Sequence, residues 1–326
     1  MNNKIKVFTA FSGYDSQCLA LQWLGLDFDL VGWSEIDRYA IQAHNVLFPE
    51  YAARNYGDIA AIDWAKVPDF DLFTYSSPCQ DFSLIGKQKG GEKNSGTRSS
   101  LLWECQKAIE TKRPKFLLFE NVPNLISKKF IKLFHRWLHV LENYGYKNFA
   151  KVLNAKHYGA AQNRPRLFCV SIHNGNHFYF PAPFTYTPHL KVFLEKTPDA
   201  VCLTHRRTDY AKSIRKQYEA HKVKATMKQL KKLVPRTDGI INTLTTVLTD
   251  NLLCYKAHTR KLTPRECLRL MNMHDLDIDK LLDANISATQ LCKMAGNSIC
   301  IITLSEVFRK MFVDTDNEET KQLTLF

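Results

Sequence analysis

The chain has 326 residues, 45% of them apolar, with 45 Lys or Arg against 32 Asp or Glu and a formal charge of +13. That length suits about two domains with a large core, and no run of 18 or more apolar residues is present, so no membrane association is expected. Nine scattered cysteines without a C-x-x-C pair, and an N-terminus "MNNKIKVFTAF" without a signal-peptide pattern, point to reduced thiols in a cytoplasm and argue against a structural zinc site, so no metal is expected.

The first half alternates between strand and helix patterns. "KIKVFTAF" reads as a strand and "DSQCLALQWLGL" as an amphipathic helix closed by Gly25. "FDLVGWS" is a strand, and "DRYAIQAHNVLF" is a helix ended by Pro49. A short strand ending at Asp58 in "YGDIAAID" is expected next, then the strand "FDLFTYS". "SSLLWECQKAIETK" is a helix stopped before Pro114, "KFLLFENV" a strand, and "KKFIKLFHRWLHVLENYG" a helix ending at Gly145. "NFAKVLNA" and "RLFCVSI" are further strands. Apolar strands alternating with helices predict an α/β fold, a doubly wound and mostly parallel sheet whose ligand lies beyond the carboxyl ends of the strands.

Near Ser171 the pattern breaks. Prolines at 181, 183 and 188 interrupt any helical period. A basic stretch follows, and then "GIINTLTTVLTDNLLCY", which reads as β-rich, so a second, smaller β-rich domain is expected here. From Thr263 the chain reads as a buried helical return. Between Thr204 and Arg236 there are eleven Lys or Arg and two acids, so +9 of the total charge falls in 33 residues. Such a run is either a solvated face or a surface that neutralises phosphates.

The strand ends carry the chemistry. Gly13 in "AFSGYDSQ" permits a tight turn, and the helix after it offers backbone N–H groups to an anion, although the glycine fingerprint is incomplete. Glu35 lies 22 residues further on, a spacing that suits an acid gripping ribose hydroxyls of an adenosine cofactor; the plainer reading is a helix cap. Asp58 could accept from an adenine amino group or cap a helix. Cys79 in "SSPCQ" is either a small buried hydrophobe or a nucleophile under a glycine-rich lid. Glu120 in "FENVPN" is either a helix cap or a carboxylate that converges with Cys79 above the sheet.

These segments together, "AFSG", "SEID", "GDI", "SPCQDFSLIGKQKG", "RSSLLWE", "FENVPNL", "LNAKHYGAAQNRPRLF", "RKLTPRECLRLM" and "GNSI", resemble the bacterial and phage DNA (cytosine-5) methyltransferases almost end to end. The resemblance implies methyl transfer from S-adenosyl-L-methionine to carbon 5 of a flipped-out cytosine in a specific double-stranded DNA sequence, as in restriction-modification systems. It implies Cys79 as the covalent nucleophile, Glu120 as proton donor to ring nitrogen 3, and Arg164 and Arg166 as hydrogen-bond donors to the base and stabilisers of the thiolate.

Cofactor contacts are implied for Phe11, Ser12, Gly13, Glu35, Ile36, Asp58, Ile59, Pro78, Leu101 and Asn297, with Ile36 packing on adenine. DNA contacts are implied for Gln80, Ser83, Lys87, Lys89 and Arg98 in the lid, and for Arg206, Arg207, Lys231 and Lys232 in the basic run. The domains would be a catalytic and cofactor-binding unit at 1–173, a target-recognition unit at 174–259, and a helical return at 260–326 that completes the catalytic unit. A cognate restriction endonuclease acting separately is a candidate partner.

The chain departs from the family pattern in its first loop, where Tyr14, Asp15 and Ser16 replace a glycine-rich sequence. Three rivals remain at this stage: an RNA-modifying branch acting on tRNA cytosine, a catalytically dead DNA-binding regulator, and a nicotinamide dehydrogenase on fold grounds alone.

Overall fold

The structure is a computed structural model that describes residues 4–77, 101–175, 177–219 and 222–314. Its centre is a six-stranded sheet built from β1 (Ile5–Ala10), β2 (Phe28–Ser34), β3 (Leu72–Tyr75), β4 (Phe116–Asn121), β5 (Tyr146–Asn154) and β6 (Pro165–His173), in the order β2-β1-β3-β4-β6-β5. The pairs β1–β2, β1–β3 and β3–β4 are parallel, and β6 runs antiparallel to both β4 and β5. The chain leaves β1 in one direction to reach β2 and returns on the other side as β3. That reversal opens a crevice between the carboxyl ends of β1 and β3.

Alternate residues of each strand enter two different cores, as the two-residue period of a strand requires. Val7, Leu30, Leu72 and Leu118 face the first, together with α1 (Ser16–Trp23), α2 (Arg38–Leu47) and the late helices α8 (Pro264–Arg269), α9 (Asp275–Asp283), α10 (Ala288–Asn297) and α11 (Ile301–Phe312). Phe8, Phe73, Phe119 and Leu167 face the second, against α3 (Leu102–Lys112) and α4 (Ile131–Asn143). Helices therefore cover both faces of the sheet. The stretch Ala288–Phe312 is apolar enough in length and composition to cross a membrane, yet 72% of its most apolar window is buried inside the chain, and it serves as core.

The expected strand ending at Asp58 does not form. Residues 49–54, 59–61 and 64–66 are 3-10 turns, and the sheet reaches this region through a single bridge between Trp33 and Asn55. The reason is local. Asp58 and Asp63 each turn their carboxylates onto backbone N–H groups two residues ahead, and Gly57 has a left-handed φ of 71°, so the backbone is diverted into turns.

A second sheet of four strands, in the order β10-β9-β7-β8, comprises β7 (Val201–Arg207), β8 (Lys231–Pro235), β9 (Leu253–Tyr255) and β10 (His258–Arg260). Three short helices, α5 (Asp209–Ser213), α6 (Arg215–Glu219) and α7 (Met227–Leu230), join β7 to β8. The segment from Gly239 to Tyr255 is less β-rich than its composition predicts, since only Leu253–Tyr255 is strand. Its polar side chains compete for the backbone instead: Asn251 donates to Thr243 O at 3.1 Å, and Thr245 Oγ1 accepts from Val247 N at 3.0 Å.

Candidate active site

A cavity of about 620 Å³ lies in the crevice at the sheet's carboxyl ends, a size suited to a small-molecule ligand. Its floor comes from the turns after β1 and β3. Phe11, Ser12 and Gly13 enter from the first, and Ser76 and Ser77 from the second. Phe11 and Gly13 both have left-handed backbones, with φ of 55° and 58°. Glycine tolerates this without cost, and it lets the Gly13 N–H turn onto Glu35 Oε2 at 3.0 Å. The other oxygen of Glu35 accepts from the N–H groups of Ile36 and Asp37 at 2.8 and 2.9 Å. Glu35 therefore clamps two loops together. The cap of α2 is Asp37, which accepts from Tyr39 N.

Beside Glu35, Ile36 is 71% exposed and lines the cavity. Asp58 and Ile59 line the same wall, with Asp58 holding Ala60 N at 3.0 Å and so acting also as a turn cap. Leu101, at the start of α3, and Asn297, the last residue of α10, complete the set of described residues expected around a cofactor. Pro78, Cys79, Gln80, Ser83, Lys87, Lys89 and Arg98 lie outside the described residues.

Glu120 sits at the opposite end of the cavity, within β4 rather than after it. It caps no helix. Its Oε1 lies 3.0 Å from Nε of Arg166, on the neighbouring strand β6. Burial pushes the Glu120 carboxyl above its ordinary pKa, while the charges of Arg166 and Arg164 and a hydrogen bond from Ser76 pull it back. The result is an acid that holds its proton to higher pH than an exposed glutamate, beside a fixed positive charge. Asn121 secures the strand end by donating to Ser77 O at 3.1 Å, which ties β4 to the turn that leads toward Cys79.

The two arginines expected at the base part company. Arg166 lines the cavity beside Glu120. Arg164 is 2% exposed, and its guanidinium donates to the carbonyls of Leu244, Gly296 and Ser298. Burial and the neighbouring Arg166 charge lower its pKa, but three carbonyl acceptors favour the charged form.

The basic run does not form one helix face. Arg206 stands directly opposite Lys232, and Arg207 opposite Lys231, on the antiparallel β7–β8 ribbon, and all four are exposed. Like charges placed opposite one another destabilise a ribbon, so this end of it favours an anionic partner.

Sequence reasoning missed several cavity residues. Gln290, Lys293 and Met294 enter from α10, and Tyr14, Ser16 and Gln17 from the first loop and α1. The "GNSI" motif marks the end of α10, but no local pattern shows that the helix before it would lie along the cavity.

The sequence model for C-5 cytosine-specific DNA methylases matches residues 5–313. The chain belongs to this family. Consistent with that, it is 34% identical to the type II methyltransferase M2.ScrFI of Lactococcus lactis subsp. cremoris, over 94% of this chain and 99% of the relative. It is 32% identical to the type II methyltransferase M.NgoBI of Neisseria gonorrhoeae, over 85% of this chain and 84% of the relative. Among solved structures, the fold is similar to S. pombe Dnmt2 methyltransferase, with a TM-score of 0.66 at 16% identity over 94% of this chain and 97% of that one. A Spodoptera frugiperda DNMT2 mutant gives a TM-score of 0.68 at 17% identity, over 95% of this chain and all of that one. The chain is thus a DNA (cytosine-5-)-methyltransferase, which methylates carbon 5 of cytosine in DNA.

Proposed function

We propose that the cavity holds S-adenosyl-L-methionine and that the cytosine enters between Glu120 and Cys79, flipped out of double-stranded DNA. The observation that carries this is the geometry of Glu120, buried at the cavity with its Oε1 3.0 Å from Arg166 Nε, in the same cavity that Ser12, Gly13, Glu35, Ile36 and Asp58 line. The cofactor fits the lining. Ser12 Oγ and Ser77 Oγ are buried at the cavity without a hydrogen-bond partner among the described residues, and Ile36 offers an exposed apolar side chain to the adenine. When bound, the cofactor supplies a methyl group on a positively charged sulfur.

The chain's own residues do the rest. Carbon 5 of cytosine is a poor nucleophile until a thiolate adds at carbon 6. In this reading Cys79 forms that bond while Glu120 delivers its proton to ring nitrogen 3, which leaves electron density at carbon 5 for attack on the methyl group. Arg166 orients Glu120 and donates to the cytosine carbonyl. After transfer, a base, for which water is the candidate, takes the carbon-5 proton as the Cys79 thiolate leaves, and the proton on nitrogen 3 returns to Glu120. The cytosine must leave its stack to reach this site.

Residues 174–259 serve as the target-recognition unit, with 1–173 and 260–326 forming the catalytic one. Arg206, Arg207, Lys231 and Lys232 grip phosphates, which fixes position without reading sequence. The bacterial type II relatives fit a cytoplasmic enzyme with a separate restriction endonuclease, whereas the phage relative M.SPRI is an orphan methyltransferase.

Trapping tests the mechanism. A duplex with 5-fluorocytosine, incubated with S-adenosyl-L-methionine and the enzyme, should yield a denaturation-resistant protein–DNA complex, because fluorine cannot leave as a proton. Cys79→Ser should give none and should still bind the cofactor. A Cys79→Ser enzyme with near-normal turnover would overturn the reading.

A further inference from the structure

We infer that Arg164 is a positioning residue that locks the cofactor end of the cavity to the recognition unit, rather than a contact to the cytosine. Its guanidinium is a three-way clasp. Nη1 donates to Leu244 O at 2.8 Å, in the segment that follows β8. Nη2 donates to Gly296 O at 2.9 Å and to Ser298 O at 2.5 Å, the residues flanking Asn297 at the cavity wall. The same two segments meet independently of the arginine, since a Cβ on Gly296 would collide with the backbone of Thr245. Gln162 reinforces the join: its Oε1 accepts from Leu244 N at 2.8 Å, and its Nε2 donates to Leu270 O at 3.1 Å.

From Ser298 the connection continues into the cofactor loop. Its hydroxyl shares a hydrogen bond with the buried Tyr14 hydroxyl, one residue beyond Gly13. One buried charge therefore spans three segments: the catalytic strand pair that carries Arg166, the recognition unit at Leu244, and the two loops that frame the cofactor. A guanidinium meets such a set of carbonyls because it offers several donors in a rigid fork; an ammonium cannot reproduce that geometry. Only Nε of Arg164 lacks an acceptor among the described residues, so a direct role on the base would have to use that atom.

This inference rests on the reading of the cavity as the cofactor site, and the test separates the two. Binding of S-adenosylhomocysteine is measured by calorimetry for wild type, Arg164→Lys and Tyr14→Phe, and methyl transfer to unmethylated genomic DNA is measured at saturating cofactor. The expected result for Arg164→Lys is a cofactor dissociation constant raised at least about 10-fold, because charge-assisted bonds to the cavity wall are lost. Its transfer rate at saturating cofactor should fall by a smaller factor, and its pH–rate profile should keep the wild-type shape.

Tyr14→Phe, which removes the far end of the same chain, should weaken cofactor binding by about 3-fold or more, the size of one ordinary hydrogen bond. The double variant should bind no more weakly than Arg164→Lys alone. Unchanged cofactor affinity with a rate loss of about 100-fold would put Arg164 on the base and overturn the inference. Should Arg164→Lys fail to fold, Tyr14→Phe decides alone, and unchanged affinity there overturns it. A wild-type enzyme that binds no S-adenosylhomocysteine would instead defeat the cofactor reading.

Discussion

Glu120 and Arg166 face one another across adjacent strands, with the carboxylate Oε1 3.0 Å from the guanidinium Nε, and both line the cavity. Burial and the arginine pull the acid in opposite directions, and burial prevails. In the proposed mechanism this pair is the proton donor and the cation that moderates it.

Glu120→Gln should slow methyl transfer by about 100-fold or more, the usual size of a general-acid contribution. Single-turnover kinetics at saturating cofactor measures it. S-adenosylhomocysteine affinity should change less than about 3-fold, because the cofactor's expected contacts lie at the other end of the cavity. An unchanged single-turnover rate would reduce Glu120 to a structural partner of Arg166.

The same acid sets a pH limb. Glu120 donates only while protonated, so the rate should decline as pH rises through its raised pKa, and Glu120→Gln should lose that limb. Arg166 holds the carboxyl down, so Arg166→Met should move the declining limb to higher pH even as the overall rate drops. A pH–rate profile of both variants checks the direction, and a limb displaced to lower pH would contradict the assignment.

Ile36→Ala should weaken cofactor binding by about 10-fold while leaving the urea midpoint of the free enzyme nearly unchanged. An isoleucine left 71% exposed contributes little to the fold by itself, but burial beneath an adenine recovers a kilocalorie or more of apolar transfer. Loss of stability without loss of affinity would mean that the side chain packs on the protein instead.

Replacing Lys231 and Lys232 together with alanine should flatten the salt dependence of DNA binding. Each phosphate contact contributes roughly −0.9 to the slope of log affinity against log salt, so the slope should fall by up to about two units. Filter binding at several salt concentrations measures it, and sequence preference should survive. An unaltered slope would mean that other residues hold the backbone.

Asp15→Ala should cost about 2–4 kcal/mol of folding stability by urea denaturation. Asp15 is fully buried in a left-handed conformation, where its carboxylate caps α1 through Cys18 N and accepts from Thr9 Oγ1 at 2.7 Å. Its Oδ2 also lies 3.6 Å from Nε2 of His44, which is fully buried and stacked on Trp33 with ring centres 3.7 Å apart. The substitution removes a cap and deprives the buried Thr9 hydroxyl of its acceptor. A change below about 0.5 kcal/mol would show that the loop needs none of these contacts.

Much of this protein is written locally in the chain. Runs such as Leu72–Tyr75 and Phe116–Asn121 are apolar on both faces, which requires a sheet covered on both sides, and Asp37 and the Thr263–Glu266 capping box mark helix starts through neighbours only two or three residues away. The alternation of most strands and helices along the chain, and a sheet covered on both faces, follow from such patterns. The division of labour between Arg164 and Arg166 does not.

Residues two apart in a strand share a face, so the pair invites one common role. Yet β6 begins at Pro165, and Arg164 lies just outside it, captured by carbonyls 80, 132 and 134 residues away in the chain. The same holds for α10, whose apolar face determines that it is buried but not that its far end closes the cofactor cavity. It holds too for the basic run, where cross-strand register alone puts Arg206 against Lys232 and Arg207 against Lys231. Periodicity and capping act over one or two turns of chain, whereas a buried charge takes its acceptors from whichever segments the packing of the two cores brings within hydrogen-bond reach.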